Sequence, residues 1–301
     1  MSDQLKKKKI DPSDSRQNFT DISINLHCCR YWICTEWEFT NMAFPFWRIY
    51  HNQTSGARIL FNGKTTELTD DKIVVIPPNT SFSSYLKNKE LVIDKENIIG
   101  RKVESEDDIA NCKVDDCIDH LFIHFNLGLP FDFVKPGIYT MANNEKYNYY
   151  LKNIKQHSIY GGNVHDFKSS MLIHIFILSV LEQLPNSLWF NDDMDKRIMN
   201  SLQYIRNNID GELSNTELAK QANMATNSFS RLFKENTGES LQHYVIKSRI
   251  ENACLLLHHS DKSIDIIASE CGFCDRHHFS KIFKQQIGMA PGYYKNHVIL
   301  Q

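Results

Sequence analysis

No stretch of about 18 consecutive apolar residues occurs in this chain, so nothing in it reads as a membrane span. No charged start followed by an apolar core is present either, so no signal peptide is expected. The run Lys6–Lys9 leads into polar sequence and reads as part of a disordered basic tail over residues 1–18. Bulk positive charge is also missing. A formal net charge of −2 over 301 residues excludes a polycation that binds nucleic acid by charge alone. The eight cysteines form no disulfide framework. Cys271 and Cys274 are separated by two residues, but no second pair stands at zinc spacing, and the adjacent Cys28 and Cys29 read as structural. Reduced thiols, a cytoplasmic setting and no structural metal are the expectation.

What the chain does contain is a repeat. Ser214, Glu217, Leu218, Ala219, Ala222, Phe229, Ser230, Phe233, Lys234 and Gly238 are matched by Ser263, Ile266, Ile267, Ala268, Cys271, Phe279, Ser280, Phe283, Lys284 and Gly288. Ser214 and Ser263 stand 49 apart, whereas Phe229 and Phe279 stand 50 apart, so one residue has entered the turn. Each copy reads as a short helix with a Ser cap, a tight turn, and a second helix ending near glycine. The spacing predicts helices over 215–222 and 226–236, then over 264–270 and 276–286, with Gly272 in the second turn and Asp275 as its following cap.

The second helix of each copy has one apolar face and one polar face. Phe229, Leu232 and Phe233 share the first copy's inner face, as Phe279, Ile282 and Phe283 do in the second. Outward stand Asn227, Ser230, Arg231 and Lys234, then Arg276, His277, Ser280, Lys281 and Lys284. Amide, hydroxyl and cationic groups on one helix face suit base edges and phosphates together. Ser240–His258 has helical apolar spacing, and about 19 residues at ~1.5 Å make a rod of about 28 Å. That is close to the ~34–36 Å between successive major-groove faces. From Asp195 onward, 13 Lys/Arg face 11 Asp/Glu, so the charge has the sign for DNA but must act through placement.

The segment from Asp195 to His297 resembles the DNA-binding domain of the AraC/XylS family of bacterial transcription regulators. The stretch Gly272-Phe273, Phe279-Ser280, Phe283-Lys284, Gly288, Pro291, Tyr294-Lys295 is similar to that family's signature. Two positions depart from it. Ala225 stands where a capping Ser is usual, leaving Thr226 to cap or the helix start weaker. Lys295 stands in place of Arg, keeping charge but losing the bidentate fork.

Residues 19–142 have a different texture, with short β-rich runs at 22–37, 47–51, 57–61, 72–76 and 121–125. Asn62-Gly63 is a hairpin signal, and Pro77-Pro78 ends a strand. This part is similar to the cupin-like β-roll sensing domain of the same family. Such a roll encloses a pocket, and Trp32, Trp47, Arg48, Tyr50, His51 and His124 are the candidate lining residues. Strand parity puts Trp47 and His51 on one face and Arg48 and Tyr50 on the other, without saying which points inward. His120 and His124 lie ~13 Å apart on one strand, too far to chelate one ion together. The His-x-His with a following Glu that cupin metal sites need is absent, so no catalytic residue, cofactor or enzyme activity is expected. Lys87–Asp119 reads as a charged, partly mobile insertion. Helical segments at 144–158 and 166–184 follow, within a region, 143–185, that reads as the dimerisation element, and 186–194 reads as a polar linker.

The expected fold class is therefore α+β and multidomain. An N-terminal cupin-like β-roll with packing helices precedes a C-terminal all-α domain, 195–301, in which a connecting helix joins two helix-turn-helix motifs (214–236 and 263–286). The resemblance implies a sequence-specific transcription regulator, an activator responding to a small molecule. Its partners would be double-stranded DNA, a second copy of itself and, for an activator, RNA polymerase, with a nucleoid-associated location and no membrane partner. Two alternatives stay open: a ligand-independent regulator whose roll only dimerises, and a cupin-type enzyme fused to DNA-binding helices.

Overall fold

The computed structural model describes residues 22–86, 97–112, 117–160, 166–189 and 194–297. The expected basic tail 1–18 lies outside the described residues. Nine strands form the amino-terminal half: β1 (Asn25–Met42), β2 (Trp47–His51), β3 (Ala57–Phe61), β4 (Lys64–Leu68), β5 (Lys72–Ile76), β6 (Phe82–Leu86), β7 (Asn97–Lys102), β8 (Ile118–Asn126) and β9 (Tyr139–Ala142). They pair antiparallel in the order β4-β3-β6-β1-β8-β2-β5-β9, with β7 on β1. β1 is long enough to serve β6, β7 and β8, and register shifts along it mark the bends that curl the sheet. Asn62 and Gly63 turn β3 into β4 with φ of 48° and 75°, as a two-residue hairpin requires. This is the cupin-like roll.

Among the described residues, ten α-helices follow the roll or interrupt it. α1 (Glu106–Cys112) precedes β8, and α2 (Glu145–Tyr160) and α3 (Phe167–Leu181) pack on the roll's outer face. Every residue of β8 is buried, because both its faces are covered. Leu121, Ile123 and Phe125 join Ile154, Ile173, Phe176 and Val180 beneath the two helices. Ile118 and Phe122 look the other way, into the roll. The stretch expected as an insertion is part of the sheet where it is described. Ile33 pairs with Arg101 and Trp37 with Ile98, and α1 caps that edge; residues 87–96 and 113–116 lie outside the described residues. The structure brings the Cys112 and Cys117 sulfurs together at the end of α1, and the other six cysteines are free.

The carboxy-terminal half is all helix: α4 (Lys196–Asn207), α5 (Asn215–Gln221), α6 (Thr226–Thr237), α7 (Leu241–His259), α8 (Ile264–Glu270), α9 (Arg276–Ile287) and α10 (Pro291–His297). The expected linker 186–194 is not loose where it is described. Asn186–Leu188 makes one 3-10 turn, and Trp189 stacks on Trp47 at 5.5 Å. The halves also meet directly. The aromatic core of the roll runs without a break into Ile250, Cys254 and Leu257 of α7 and on to Phe279 and Phe283 of α9.

Candidate nucleic-acid interface and effector cavity

The two helix-turn-helix units are built alike, atom for atom in places. The Ser214 hydroxyl accepts from Glu217 N–H at 3.2 Å, and the Ser263 hydroxyl from Ile266 N–H at 3.3 Å. Both turns pass through the left-handed region at matched positions, Asn223 with φ 52° and Gly272 with φ 74°. Met224 N–H then reaches the Ala219 carbonyl at 2.9 Å, and Phe273 N–H the Ala268 carbonyl at 3.0 Å. The added residue is thus Cys274, which is exposed, whereas Cys271 is fully buried. The two thiols therefore face different surroundings.

Ala225 caps α6 without a side-chain hydrogen bond, and Thr226 is already inside the helix. The first reading helix therefore starts weaker than the second, whose Asp275 accepts from His278 N–H at 2.7 Å. Both helices end at left-handed glycines, Gly238 and Gly288, whose N–H groups close on Lys234 and Lys284 carbonyls. Phe229, Phe233, Phe279 and Phe283 are fully buried, which fixes each helix's rotation about its axis. α4, which sequence reading did not single out, completes the first core with Ile198, Leu202 and Ile205.

With the inner faces fixed, the polar faces turn outward. Asn227, Arg231 and Lys234 are exposed on α6, and Arg276, His277, Lys281 and Lys284 on α9. Ser230 and Ser280 are half-buried. The Ser230 hydroxyl donates to the Thr226 carbonyl at 2.9 Å and contacts Asn215 at 3.1 Å, bracing α6 against α5. Arg276 pairs with Asp265 at 3.1 Å, and Arg231 lies 3.8 Å from Glu235. These arginines remain mostly in water, so such pairs are worth little. Lys295 is engaged differently: its amine donates to the Lys262 carbonyl at 2.8 Å and holds α10 to the second unit.

Of the six pocket candidates, the fold brings three together. Arg48, Tyr50 and His124 line a cavity of about 50 Å3 at the junction of roll and α7, with Trp37, Phe44, Phe46, His120, His258 and His259. Trp47 and His51 face away from it. The Trp47 indole donates to Asp132 at 3.1 Å under the outer helices, and the His51 ring meets the Asp70 carbonyl at 3.3 Å. Trp32 is half-buried against the core edge and does not line the cavity; Trp37, one strand bend later, does. The physical reason is what covers each face of β2: α2 and α3 lie over the Trp47 face, α7 over the Arg48 face.

Arg48 is the unusual group. It is 1% exposed, its guanidinium lies 4.4 Å from the Phe44 ring and 4.6 Å from the Phe82 ring, and among the described residues no acceptor is aligned with any of its three nitrogens. Burial pulls its pKa down, and the Tyr50 phenol pushes back. His258 Nε2 meets the Tyr294 hydroxyl at 2.8 Å. Burial, with Arg48 and Arg30, lowers the His258 pKa to about 3, so that ring is neutral. His258 and His259 escaped sequence reading because they stand at the end of a helix that reads only as a rod.

Two capped helix-turn-helix units are fixed to the ends of a 19-residue helix, an arrangement that suits two successive major-groove segments. Residues 218–297 match a helix-turn-helix domain family. The HTH-type transcriptional activator RhaS of Yersinia pestis bv. Antiqua is 33% identical over 119 residues, covering 38% of this chain and 44% of that protein. RhaS of Escherichia fergusonii is 30% identical over 118 residues, covering 39% and 42%. The chain thus spans under half the length of these curated relatives. The structure of ToxT from Vibrio cholerae O395 shares the fold over 91% of this chain and 97% of its own, at 15% identity and a TM-score of 0.52. Another ToxT structure, of strain SCE256, is described as unsaturated fatty acid bound. The carboxy-terminal part of this chain, residues 218–297, is a helix-turn-helix domain similar to that of HTH-type transcriptional activators.

Proposed function

We propose that the whole chain is a sequence-specific transcription activator whose DNA affinity is set by a small acidic effector in the cavity between roll and α7. The observation that carries this reading is Arg48. A buried cation without an acidic partner is costly, and an anion supplies the missing acceptors. The cavity has room for a carboxylate head and a few attached atoms, and the fatty acid of the ToxT structure belongs to the same chemical class. Because His258 and His259 belong to α7, an occupant there presses on the helix that carries both reading heads. The exposed stripe Phe167, Met171, Ile175 and Leu178 on α3 is the face we assign to a homodimer, and RNA polymerase is the partner of an activator. The intended work site is DNA in the cytoplasm, and catalysis has no place in this reading.

DNA contact is tested by substitution. Arg231→Ala and Arg276→Ala should each lose about 1–3 kcal/mol of specific binding and relax preference at one or two base pairs. The measurement is anisotropy with cognate and scrambled duplexes at one fixed salt concentration. An unchanged ratio of the two affinities would make that arginine a phosphate contact or a bystander.

The effector is tested by melting. Short-chain carboxylates should raise the melting temperature of the full chain, as any ligand of the folded state does. Arg48→Leu should abolish that shift while leaving the protein folded, because an apolar residue replaces an unpaired buried charge. A shift that survives Arg48→Leu would place the acid elsewhere. No shift with any acid would favour the roll as a purely dimerising module.

A further inference from the structure

The cavity wall holds a second constellation that sequence spacing hides. On the sequence His124 has only His120 as a strand neighbour of its kind, and His120 is engaged with Asn52 at 2.7 Å. In the fold His124 instead faces Cys28, its cross-strand partner between β8 and β1. His259, the last residue of α7, comes down on the pair from the DNA-binding half. One donor atom from each of Cys28, His124 and His259 lies within 4.8 Å of the others. Their sequence separations exceed 90 residues, so no motif could announce them.

We propose that Cys28, His124 and His259 form a three-ligand site for a thiophilic divalent cation of the Zn2+ class, which fastens the sensing roll to the helix carrying both DNA-reading heads. Several independent observations converge on it. Among the described residues, neither ring nitrogen of His124 nor of His259 has a hydrogen-bond partner. Buried imidazoles normally find one, and an ion satisfies one nitrogen of each at a stroke. Cys28 is a free thiol, and one sulfur with two imidazole nitrogens suits Zn2+ over Mg2+ or Ca2+. A tetrahedral ion with bonds of ~2.0–2.3 Å holds donors about 3.3–3.7 Å apart. Side-chain rotation of about an ångström closes the difference.

The site also has a place for a fourth ligand. His124 and His259 line the cavity that contains Arg48, so the open coordination position belongs to water or to an anion there. On binding, Cys28 gives its proton to the solvent and the thiolate offsets one charge of the ion. The neighbouring Arg48 and Arg30 oppose the second charge, which makes an anionic fourth ligand the natural complement. The ion would stiffen the one junction through which the roll can act on α7. This inference does not depend on the acidic effector: the clamp needs only the three side chains.

The experiment uses the full chain, stripped with a chelator and dialysed. Titrated Co2+ should develop a near-ultraviolet thiolate-to-cobalt band that saturates at one ion per chain and is displaced by Zn2+. Cys28→Ser should abolish the band, and His259→Gln should weaken Co2+ binding at least tenfold. His259 lies at a helix end and is only half-buried, so that variant decides the matter should Cys28→Ser fail to fold. Cys274→Ser is the control, since the exposed Cys274 lies 3.7 Å from the His278 ring and could take up metal on its own. Zn2+ should also change the affinity of the wild-type chain for its DNA at least threefold, and leave His259→Gln unmoved. Absence of the band in the wild type, a band lost in Cys274→Ser but kept in Cys28→Ser, or DNA affinity indifferent to Zn2+ would each overturn the proposal.

Discussion

Asp119→Ala should cost about 3–5 kcal/mol of folding stability, the scale for removing one partner of a buried ion pair. The side chain is fully buried at the start of β8 and organises everything around it. Its carboxylate accepts from Gln53 N–H at 2.9 Å, Thr54 N–H at 2.6 Å, the Thr54 hydroxyl at 2.7 Å, the Tyr31 hydroxyl at 2.8 Å and the Lys155 amine at 3.4 Å. Truncation strands the two backbone N–H groups, the Thr54 hydroxyl and a charged amine on α2 that is 7% exposed, whereas the Tyr31 hydroxyl keeps Gln53 Oε1 at 2.8 Å. Burial already lowers the Lys155 pKa to about 8 against the pull of Asp119, so without the carboxylate that lysine would shed its charge. Lys155→Met should cost less, because Asp119 keeps its other four donors. Burial raises the Asp119 pKa, but Lys155 and the hydrogen bonds outweigh it and the net shift is downward. The stability it confers is therefore present above the unfolded carboxyl value of 3.8 and lost as pH falls through the lower folded value. Urea unfolding with an unchanged slope measures the loss. A loss under about 1 kcal/mol would mean that water replaces the carboxylate, and that the β8–α2 junction is softer than its hydrogen bonds indicate.

How much of this was legible beforehand depends on how locally each feature is encoded. The helix-turn-helix units were, because each boundary is marked by a residue whose chemistry acts within four positions: Ser214 and Ser263 as caps, Gly238 and Gly288 as stops. The duplication supplied a second reading of every mark. β2, β3 and β5 were legible for the same reason, having alternation or turn residues at both ends. β7 was not, since Asn97–Lys102 has no strand signature of its own and is a strand only because β1 offers it an edge. The polar face of α6 was read correctly as outward, but Ser230 turned out to spend its hydroxyl on α5 and its own helix, a local competition that spacing cannot reveal. Strand parity correctly separated Trp47 and His51 from Arg48 and Tyr50. It could not orient them, because both faces of β2 are buried and only the packing of distant helices distinguishes them. The cavity's histidines from α7 illustrate the limit most clearly. Residues 124 and 259 share a wall through tertiary packing alone, and no periodicity in either segment carries that information.

Inserting about 5 bp between the two half-sites of the cognate DNA should lower affinity at least a hundredfold, to the level of one reading head alone. The reason lies in how rigidly the heads are joined. α7 is 19 residues long, about 28 Å, and both units pack against it: Phe233 meets Tyr244 at 5.6 Å near its start, and Phe283 meets Tyr294, which in turn meets His258, near its end. Midway, Arg249 ties the units to each other. Its guanidinium donates to the Ile209 carbonyl at 3.0 Å and the Gly211 carbonyl at 2.8 Å, in the loop before the first unit. Gly272, in the turn of the second unit, lies so close that an added Cβ would stand 2.8 Å from both the Arg249 guanidinium carbon and the Ile209 carbonyl oxygen. The heads therefore cannot swivel independently. A half-turn insertion moves one half-site to the opposite face of the duplex, where the second head cannot follow. A full-turn insertion of about 10 bp restores the face but adds ~34 Å of separation, which a rod of fixed length cannot span, so it should fail as well. A flexible tether would instead recover at the full turn. Arg249→Ala, which frees the first unit's loop from the junction, should weaken binding to the native site and narrow the gap between native and inserted sites. Anisotropy titrations of the native, half-turn and full-turn duplexes at constant salt measure all three, and equal affinity for the native and half-turn sites would show that α7 does not set the spacing.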